Sequence, residues 1–239
     1  MFTIALIGPD GSGKTAISRR IMETPPLRMK YLYMGVNTES SNRMLPTTRL
    51  AAALKRASGK KTEWQGPPVP GQEKSSPRGF LKRTLSGFRS ALRLANRFGE
   101  ESYRQCLTWF YLWQGYVVLY DRHFFFDYYA YDIAPFQKNR PLSRRIHGFF
   151  LKHIYPKPDL VIFLNAPAEV LFARKGDGTI EDLERRRQEY LLAGKQIRNF
   201  QIVDATQPLE QETNEIINLI KTYSDARART QAERDKQTQ

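Results

Sequence analysis

Short apolar runs alternate along this chain with longer segments whose apolar residues recur at helical spacing. The runs that predict strands are Phe2–Ile7, Lys30–Met34, Tyr116–Tyr120, Leu160–Leu164 and Gln201–Val203. Helices are predicted after the first strand and at Leu45–Ala57, Phe80–Phe98, Glu101–Gln114, Leu142–Ile154, Ala168–Arg174, Ile180–Asn199 and Leu209–Ser224. Strands that alternate with helices predict an α/β fold in which helices cover a parallel sheet.

The first predicted strand runs directly into a glycine-rich turn, Gly8–Thr15, with the sequence G-P-D-G-S-G-K-T. This is the full phosphate-binding pattern G-x-x-x-x-G-K-[ST], known as a P-loop. Glycines let backbone N–H groups approach a phosphate, and the helix that follows directs its positive end at the same anion. Lys14 is expected to reach the β- and γ-phosphates and Thr15 to bind Mg²⁺. The predicted ATP-binding residues of this loop are Gly8, Asp10, Gly11, Ser12, Gly13, Lys14 and Thr15.

A second candidate group follows the strand-like run Tyr116–Tyr120. Asp121 would lie at the carboxyl end of a buried parallel strand, where ligands bind in open α/β sheets, and could hold Mg²⁺ directly or through water. Arg122 offers a planar guanidinium that suits a phosphate. A structural ion pair is the alternative for an isolated Asp-Arg pair, but the upstream P-loop favours the functional interpretation.

The segment 174–179, R-K-G-D-G-T, predicts a basic loop hinged by glycines, as expected of a lid. Phosphoryl transfer needs cations around the transferring group, and the P-loop contains no arginine. Arg174 is therefore the first candidate for a catalytic lid cation, and Arg185 and Arg187 follow it. The alternative for the arginines of the helix Ile180–Asn199 is a solvated face paired with glutamates of the same helix.

Three blocks of the chain together resemble the thymidylate kinase-like family of nucleoside monophosphate kinases. The first is the P-loop with Asp10 in its third position, and the second is Asp121-Arg122-His123, similar to the family motif D-R-[YH]. The third extends from Pro158 to Glu210 and includes the lid. Together they cover roughly 120 residues, and the combination is more specific than any one motif.

The resemblance implies a three-layer P-loop fold with a five-stranded parallel sheet, and transfer of the ATP γ-phosphate to a nucleoside monophosphate similar to dTMP. It implies that Asp10 contacts the acceptor's sugar, that Arg122 grips the acceptor's phosphate, and that Arg104 is a further candidate for that phosphate. It also implies that adenine lies between Arg174 and a loop that contains Ala205, Thr206 and Pro208. The predicted catalytic residues are Lys14, Asp121, Arg122 and Arg174.

Two departures from the family concern the acceptor. The segment Tyr33–Thr38 lacks the arginine of the family's R-E-P-G-G motif, and Phe126 stands where the family usually has a serine. Two further functions therefore stay open. One is a kinase of the same fold for a sugar or a lipid-linked acceptor at a membrane surface, and the other is a nucleotide-dependent switch that hydrolyses ATP slowly.

The net charge of +14 over 239 residues is concentrated in one segment. Residues 43–100 contain thirteen Lys or Arg against three Glu. We assign a kinase domain to residues 1–224 with an insertion at 37–100, which comprises a mobile loop at 58–79 and a basic amphipathic helix at 80–98. The helix could pack on the protein body with its cations in water, or contact an anionic membrane surface; nucleic acid is the least favoured partner.

The remaining composition limits the setting of the protein. Cys106 is the single cysteine, so an internal disulfide is excluded, and no apolar run approaches the length of a membrane span. These features predict a cytoplasmic protein, with peripheral membrane contact left open. A homodimer also stays open, and the polar tail 225–239 is expected to be frayed helix or disordered.

Overall fold

The computed structural model describes residues 1–36, 45, 48, 80–135, 140–176 and 178–237, except for the side chains of residues 80–90 and of Arg93. Most of the predicted helix Leu45–Ala57 and all of the predicted mobile loop 58–79 lie outside these residues. The domain boundaries given above therefore stay predictions. None of the helices in the described part of the chain combines the length and apolar character needed to span a bilayer.

Five parallel strands form one sheet in the order β2-β3-β1-β4-β5. They are β1 (Thr3–Ile7), β2 (Met29–Tyr33), β3 (Val117–Asp121), β4 (Leu160–Asn165) and β5 (Phe200–Asp204). Each confirms a strand predicted from the apolar runs. The central strand β1 pairs with β3 and β4, so that Leu6 lies opposite Asp121 on one side and Ile162 on the other. This register brings the end of β3 level with the end of β1.

Seven α-helices and one π-helix are present among the described residues. They are α1 (Lys14–Glu23), α2 (Phe80–Trp113), α3 (Phe124–Asp127), the π-helix (Tyr129–Ile133), α4 (Leu142–His153), α5 (Ala168–Lys175), α6 (Ile180–Gly194) and α7 (Leu209–Gln237). The fold class predicted from the sequence, α/β with a five-stranded parallel sheet between helices, is confirmed.

Three helices differ from their predictions. The two helices predicted on either side of Gly99 form the single helix α2. Glu100 pairs with Arg104 and Glu101 with His147 directly after this glycine, and such contacts can offset the cost of one glycine in a helix, about 1 kcal/mol. Helix α6 ends at Gly194, earlier than predicted, and the chain turns from there into β5. Helix α7 continues to Gln237, although its last turns are exposed.

The described residues divide into two compact units. The first comprises Met1–Tyr31, Tyr111–Arg122 and Pro158–Gln239, and it contains β1, β3, β4 and β5 with α1, α5, α6 and α7. Strand β2 begins in this unit and ends in the other. The hydrophobic core of the first unit includes the fully buried side chains of Ile4, Leu6, Ile17 and Ile162.

The second unit comprises Leu32–Phe110 and His123–Lys157, and a buried polar group lies inside it. His147 of α4 is fully buried, with Nδ1 2.6 Å from Asp132 Oδ2 of the π-helix and Nε2 2.9 Å from Glu101 Oε1 of α2. The neighbouring Gly148 lets α4 approach the π-helix closely, because a Cβ there would lie 2.0 Å from the carbonyl oxygen of Asp132. These contacts fix one face of α4 against its neighbours.

A further cation, Arg97, lies beside this histidine group. The guanidinium of Arg97 is 3.6 Å from Asp132 and lies 4.5 Å from the centre of the Tyr128 ring. Burial alone would lower the pKa of His147, but its hydrogen bonds with Asp132 and Glu101 raise the pKa above its ordinary value. The charged imidazolium is thus favoured in the folded protein, with a carboxylate on each ring nitrogen.

We expect this group to make stability depend on pH. Because the pKa of His147 is raised on folding, its contribution is complete below the unfolded value of about 6.5 and is lost as pH rises through the folded value. In urea unfolding measured from acidic to alkaline pH, His147→Gln should lower the free energy of unfolding by about 3 kcal/mol at low pH. The variant should also lack the decrease in stability that the parent protein shows as pH rises. The control His153→Gln, at an exposed position on the same helix, should still show the decrease in stability with rising pH. Equal pH dependence in both variants would contradict the assignment.

Candidate nucleotide-binding site

The predicted P-loop lies in the first unit, between the carboxyl end of β1 and the amino end of α1. Gly11 has a φ of 87°, and a Cβ at this position would lie 2.6 Å from the carbonyl oxygen of Leu171 in α5. Any side chain there would therefore be strained and would also collide with backbone. Gly13, with a φ of 84°, precedes the first residue of α1. The helix thus presents its unpaired N–H groups at the loop, as an anion site requires.

Lys14 is buried within this loop and directs its ammonium group at the turn itself. Its Nζ donates hydrogen bonds to the carbonyl oxygens of Gly8 at 2.8 Å and Pro9 at 2.6 Å, and lies 3.2 Å from Ser12 Oγ. The ammonium therefore lies beside the residues that the pattern assigns to phosphate binding. The predicted contact of Lys14 with the β- and γ-phosphates of a nucleotide stays a prediction.

Asp121, the last residue of β3, is almost fully buried beside the loop. Its Oδ2 accepts hydrogen bonds from Thr15 Oγ1 at 3.1 Å and from the Tyr31 hydroxyl at 3.0 Å. Its Oδ1 is also buried and has no hydrogen-bond partner within the described residues. A buried carboxylate oxygen without a donor suits a cation, and hard oxygen ligands are those Mg²⁺ prefers. The Thr15 hydroxyl and the Asp121 carboxylate therefore fit a magnesium site.

Asp10 brings together cations from three separate elements. Arg122, which follows β3, places Nη2 2.5 Å from its carboxylate; Arg186 of α6 lies at 3.3 Å and Lys175 of α5 at 3.9 Å. Burial alone would raise the pKa of Asp10, but Arg122, Lys14 and Lys175 hold it well below its ordinary value. Asp10 is thus ionised throughout the physiological pH range. We call Asp10, Arg122, Lys175 and Arg186 the Asp10 cluster.

The backbone of Arg122 is held in an unusual conformation. Its φ of 67° is the one positive value found at a non-glycine residue in the part of the chain that the structure describes. The N–H of Arg122 donates to the carbonyl oxygen of Leu6 at 3.0 Å, which continues the pairing of β1 with β3 by one residue. A long side chain in the left-handed region is strained, and strain of this kind is concentrated at functional sites. Its presence favours a role for the Arg122 guanidinium.

The three candidate arginines of the lid contact different parts of the first unit. Arg174 Nη1 donates to the carbonyl oxygen of Ala205 at 2.7 Å, so it lies at the loop between β5 and α7. Arg185 pairs with Asp182 at 2.8 Å and Glu189 at 2.9 Å, both in its own helix. Arg187 Nε donates to Asn165 Oδ1 at 2.7 Å and pairs with Glu184. The predicted role of Arg174 at the transferring phosphoryl group stays a prediction.

Three residues of the site were not among the sequence predictions: Tyr31, Lys175 and Arg186. Consecutive residues of a helix point about 100° apart, so only one of the three arginines 185–187 can face Asp10. The rotation of α6 about its axis decides which one, and the local sequence does not contain that information. Tyr31 belongs to no recognised motif. The available indication that it lies near Asp121 was its position on β2, the strand next to β3.

The loop predicted to contact adenine lies beside a buried acid. Ala205 is buried, whereas Thr206 and Pro208 are exposed. Glu212, in the first turn of α7, is 97 % buried, with Oε1 lacking a hydrogen-bond partner in the described structure. Burial raises the pKa of Glu212 to about 7, although the nearby Arg174 guanidinium opposes the shift. The carboxyl group can therefore exist in both protonation states near neutral pH.

The residues predicted to bind the acceptor divide between the two units. Asp10 and Arg122 meet in the first unit, as described above. Arg104 belongs to the second unit, where it is buried, donates from Nη1 to the carbonyl oxygen of Gly35 at 2.7 Å, and lies 3.6 Å from Glu100. Burial lowers the pKa of the Arg104 guanidinium. Its observed partners are thus a carbonyl group and a carboxylate of its own unit.

No protein-family model matches the chain, and no curated protein matches it in sequence. Among solved structures, the chain is similar to a deoxyadenosine kinase from M. mycoides that was solved with the products dCMP and a flexible dCDP bound. The TM-score is 0.49 and the identity 16 %, over 92 % of this chain and 99 % of that one. The chain is an α/β protein with a five-stranded parallel sheet, and its glycine-rich loop lies between β1 and α1.

Proposed function

We propose that the protein is an ATP-dependent phosphotransferase whose acceptor is a nucleoside monophosphate similar to dTMP. The observation that supports this best is the Asp10 cluster next to the P-loop, in which Arg122, Lys175 and Arg186 surround one carboxylate. A triphosphate-binding loop alone would serve a switch equally well. Extra cations supplied by a lid are what phosphoryl transfer requires in addition.

The donor side of the reaction uses residues of the first unit. Backbone N–H groups of the P-loop and the Lys14 ammonium would bind the β- and γ-phosphates of ATP. Thr15 and Asp121 would hold Mg²⁺, which when bound neutralises charge on these phosphates. Tyr31, through its hydrogen bond to Asp121 Oδ2, would keep the carboxylate turned with Oδ1 free for the ion.

The Asp10 cluster would supply the charge stabilisation. In the transition state the transferring group carries negative charge on its equatorial oxygens, and preorganised cations stabilise that charge most effectively. Lys175 and Arg186 are held by Asp10 until a phosphoryl group competes for them, and Arg122 would bind the acceptor's phosphate. An acceptor phosphate is already ionised at neutral pH, so the reaction needs no strong general base.

A second candidate is a kinase of the same fold whose acceptor is a sugar or a lipid-linked molecule. Three observations favour it over a nucleotide acceptor. Arg104, the second candidate for the acceptor phosphate, is engaged by Gly35 and Glu100, and the segment after β2 contributes no arginine at Tyr33–Val36. Phe126 is buried, at a position where the thymidylate kinase-like family usually has a serine.

A screen of phosphoryl acceptors tests the proposal. Release of ADP from Mg·ATP should depend on an added acceptor and should be fastest with a nucleoside monophosphate; sugars and lipid-linked acceptors belong in the same screen. Lys14→Ala should abolish the acceptor-dependent rate, because the β- and γ-oxygens lose their P-loop cation. Slow ADP release that no acceptor accelerates would make the protein a switch, and fastest release with a sugar or lipid would select the second candidate.

The lid offers a matched pair of variants. Arg186→Gln removes a cation of the Asp10 cluster and should lower kcat by a factor of about 10² with a smaller effect on ATP affinity. Arg185→Gln removes the adjacent arginine, which pairs within α6, and should change kcat by less than about threefold. Steady-state kinetics with the best acceptor measures both. Equal effects of the two substitutions would rule out a specific role for Arg186.

A further inference from the structure

Helix α4 exposes a stripe of large apolar side chains on its outer face. Leu142 is 69 % exposed, Ile146 38 % and Phe149 56 %. The spacing i, i+4 and i+7 places all three on one side of the helix. Ile154, immediately after the helix, is 54 % exposed as well. An isolated exposed leucine needs no explanation, but a continuous apolar stripe of this kind marks an interaction surface.

The opposite face of α4 is already fully used. His147 lies between the carboxylates of Asp132 and Glu101, Gly148 is packed against the π-helix, and Leu151 is completely buried. The helix therefore cannot rotate its apolar stripe inward without breaking the buried histidine group. Among the described residues, the outer stripe of α4 therefore stays outside this unit's core.

Charge on the same segment is of one sign. Residues 140–157 contain five Lys or Arg and neither Asp nor Glu. Arg144 turns inward, where its guanidinium lies 4.0 Å from Asp132. Arg145 and Lys152 are exposed, and their spacing of seven residues places both on the same edge of the apolar stripe. The outer face of α4 thus combines an apolar centre with a cationic border.

We infer that the outer face of α4 docks the protein on a membrane surface that contains anionic lipid. The apolar stripe would enter the boundary between headgroups and acyl chains, and Arg145 and Lys152 would contact the anionic headgroups. A second copy of this chain using the same face would bring like charges together, which disfavours a symmetric dimer. A nucleic-acid backbone would match the cations but offers nothing to the apolar centre. The inference goes beyond the proposed phosphotransferase activity and does not depend on it.

The basic helix predicted at 80–98 is the rival membrane contact. In its described part, Leu92 and Ala95 are exposed, while Arg97 is engaged by Asp132 and Tyr128. The side chains of Lys82, Arg89 and Arg93 lie outside the description. A variant in which Lys82, Arg89 and Arg93 are all changed to Gln therefore separates the two surfaces in one assay, with Arg97 kept because it pairs with Asp132 beside α4.

Sedimentation with vesicles tests the inference on the full chain. The protein should bind vesicles of phosphatidylcholine with about one third phosphatidylserine at low salt, bind pure phosphatidylcholine vesicles far less, and be released as salt shortens the screening length. Ile146→Ser with Phe149→Ser should lower the bound fraction at least about fivefold, and Arg145→Gln with Lys152→Gln should do the same. All four side chains are exposed or partly exposed, so thermal unfolding should be little changed.

Two controls match these variants. Ile202→Ser removes an apolar side chain of β5 that is 53 % exposed, and Arg229→Gln removes an exposed cation of α7; neither should alter vesicle binding. The inference is overturned if the intact protein ignores anionic vesicles or if the α4 variants bind as well as the parent. It is also overturned if only the triple substitution of Lys82, Arg89 and Arg93 abolishes binding, or if Phe149→Ser dissociates a dimer in solution.

Discussion

The candidate site depends on one ion-pair arrangement, in which the Asp10 carboxylate holds Arg122, Lys175 and Arg186 beside the P-loop. Three cations this close would repel one another without an anion among them. Asp10 balances part of that charge, and its lowered pKa keeps it ionised. The remaining positive charge is what a phosphate would encounter. The Asp10 carboxylate thus holds Arg122, Lys175 and Arg186 in place when no substrate is bound. These are the side chains proposed to bind phosphoryl oxygens.

The sheet explains why these groups meet. Strands β1 and β3 are neighbours and end together, since Leu6 lies opposite Asp121 and the N–H of Arg122 donates to the carbonyl oxygen of Leu6. The P-loop that follows β1 and the Asp-Arg pair at the end of β3 are therefore brought to the same edge, where ligands bind in open parallel sheets. Strain at Arg122 is tolerated because this pairing fixes its backbone. Secondary structure supplies the position, and the loops supply the chemistry.

Features encoded within one local segment could be predicted from the sequence. The P-loop is such a feature because its glycines, Lys14 and the start of α1 are contiguous, and the five strands were recognisable from their apolar runs. Features set by tertiary packing could not be predicted. The rotation of α6 selects Arg186 over Arg185, and the pairing of Glu101 with His147 of α4 holds the segment of α2 that follows Gly99. The functional roles of the candidate residues, Arg174 and Arg104 included, stay predictions.

The most direct test of the account is a comparison of Mg·ATP affinity with the single-turnover rate of phosphoryl transfer in Asp10→Asn. Loss of the carboxylate removes one negative charge close to the phosphate site and also removes a group that positions Arg122, Lys175 and Arg186. We therefore predict affinity equal to or higher than that of the parent protein, with a transfer rate lower by a factor of about 10². The control is Asp182→Asn, which removes a carboxylate that pairs with Arg185 outside the Asp10 cluster. An unchanged transfer rate in Asp10→Asn would contradict the account.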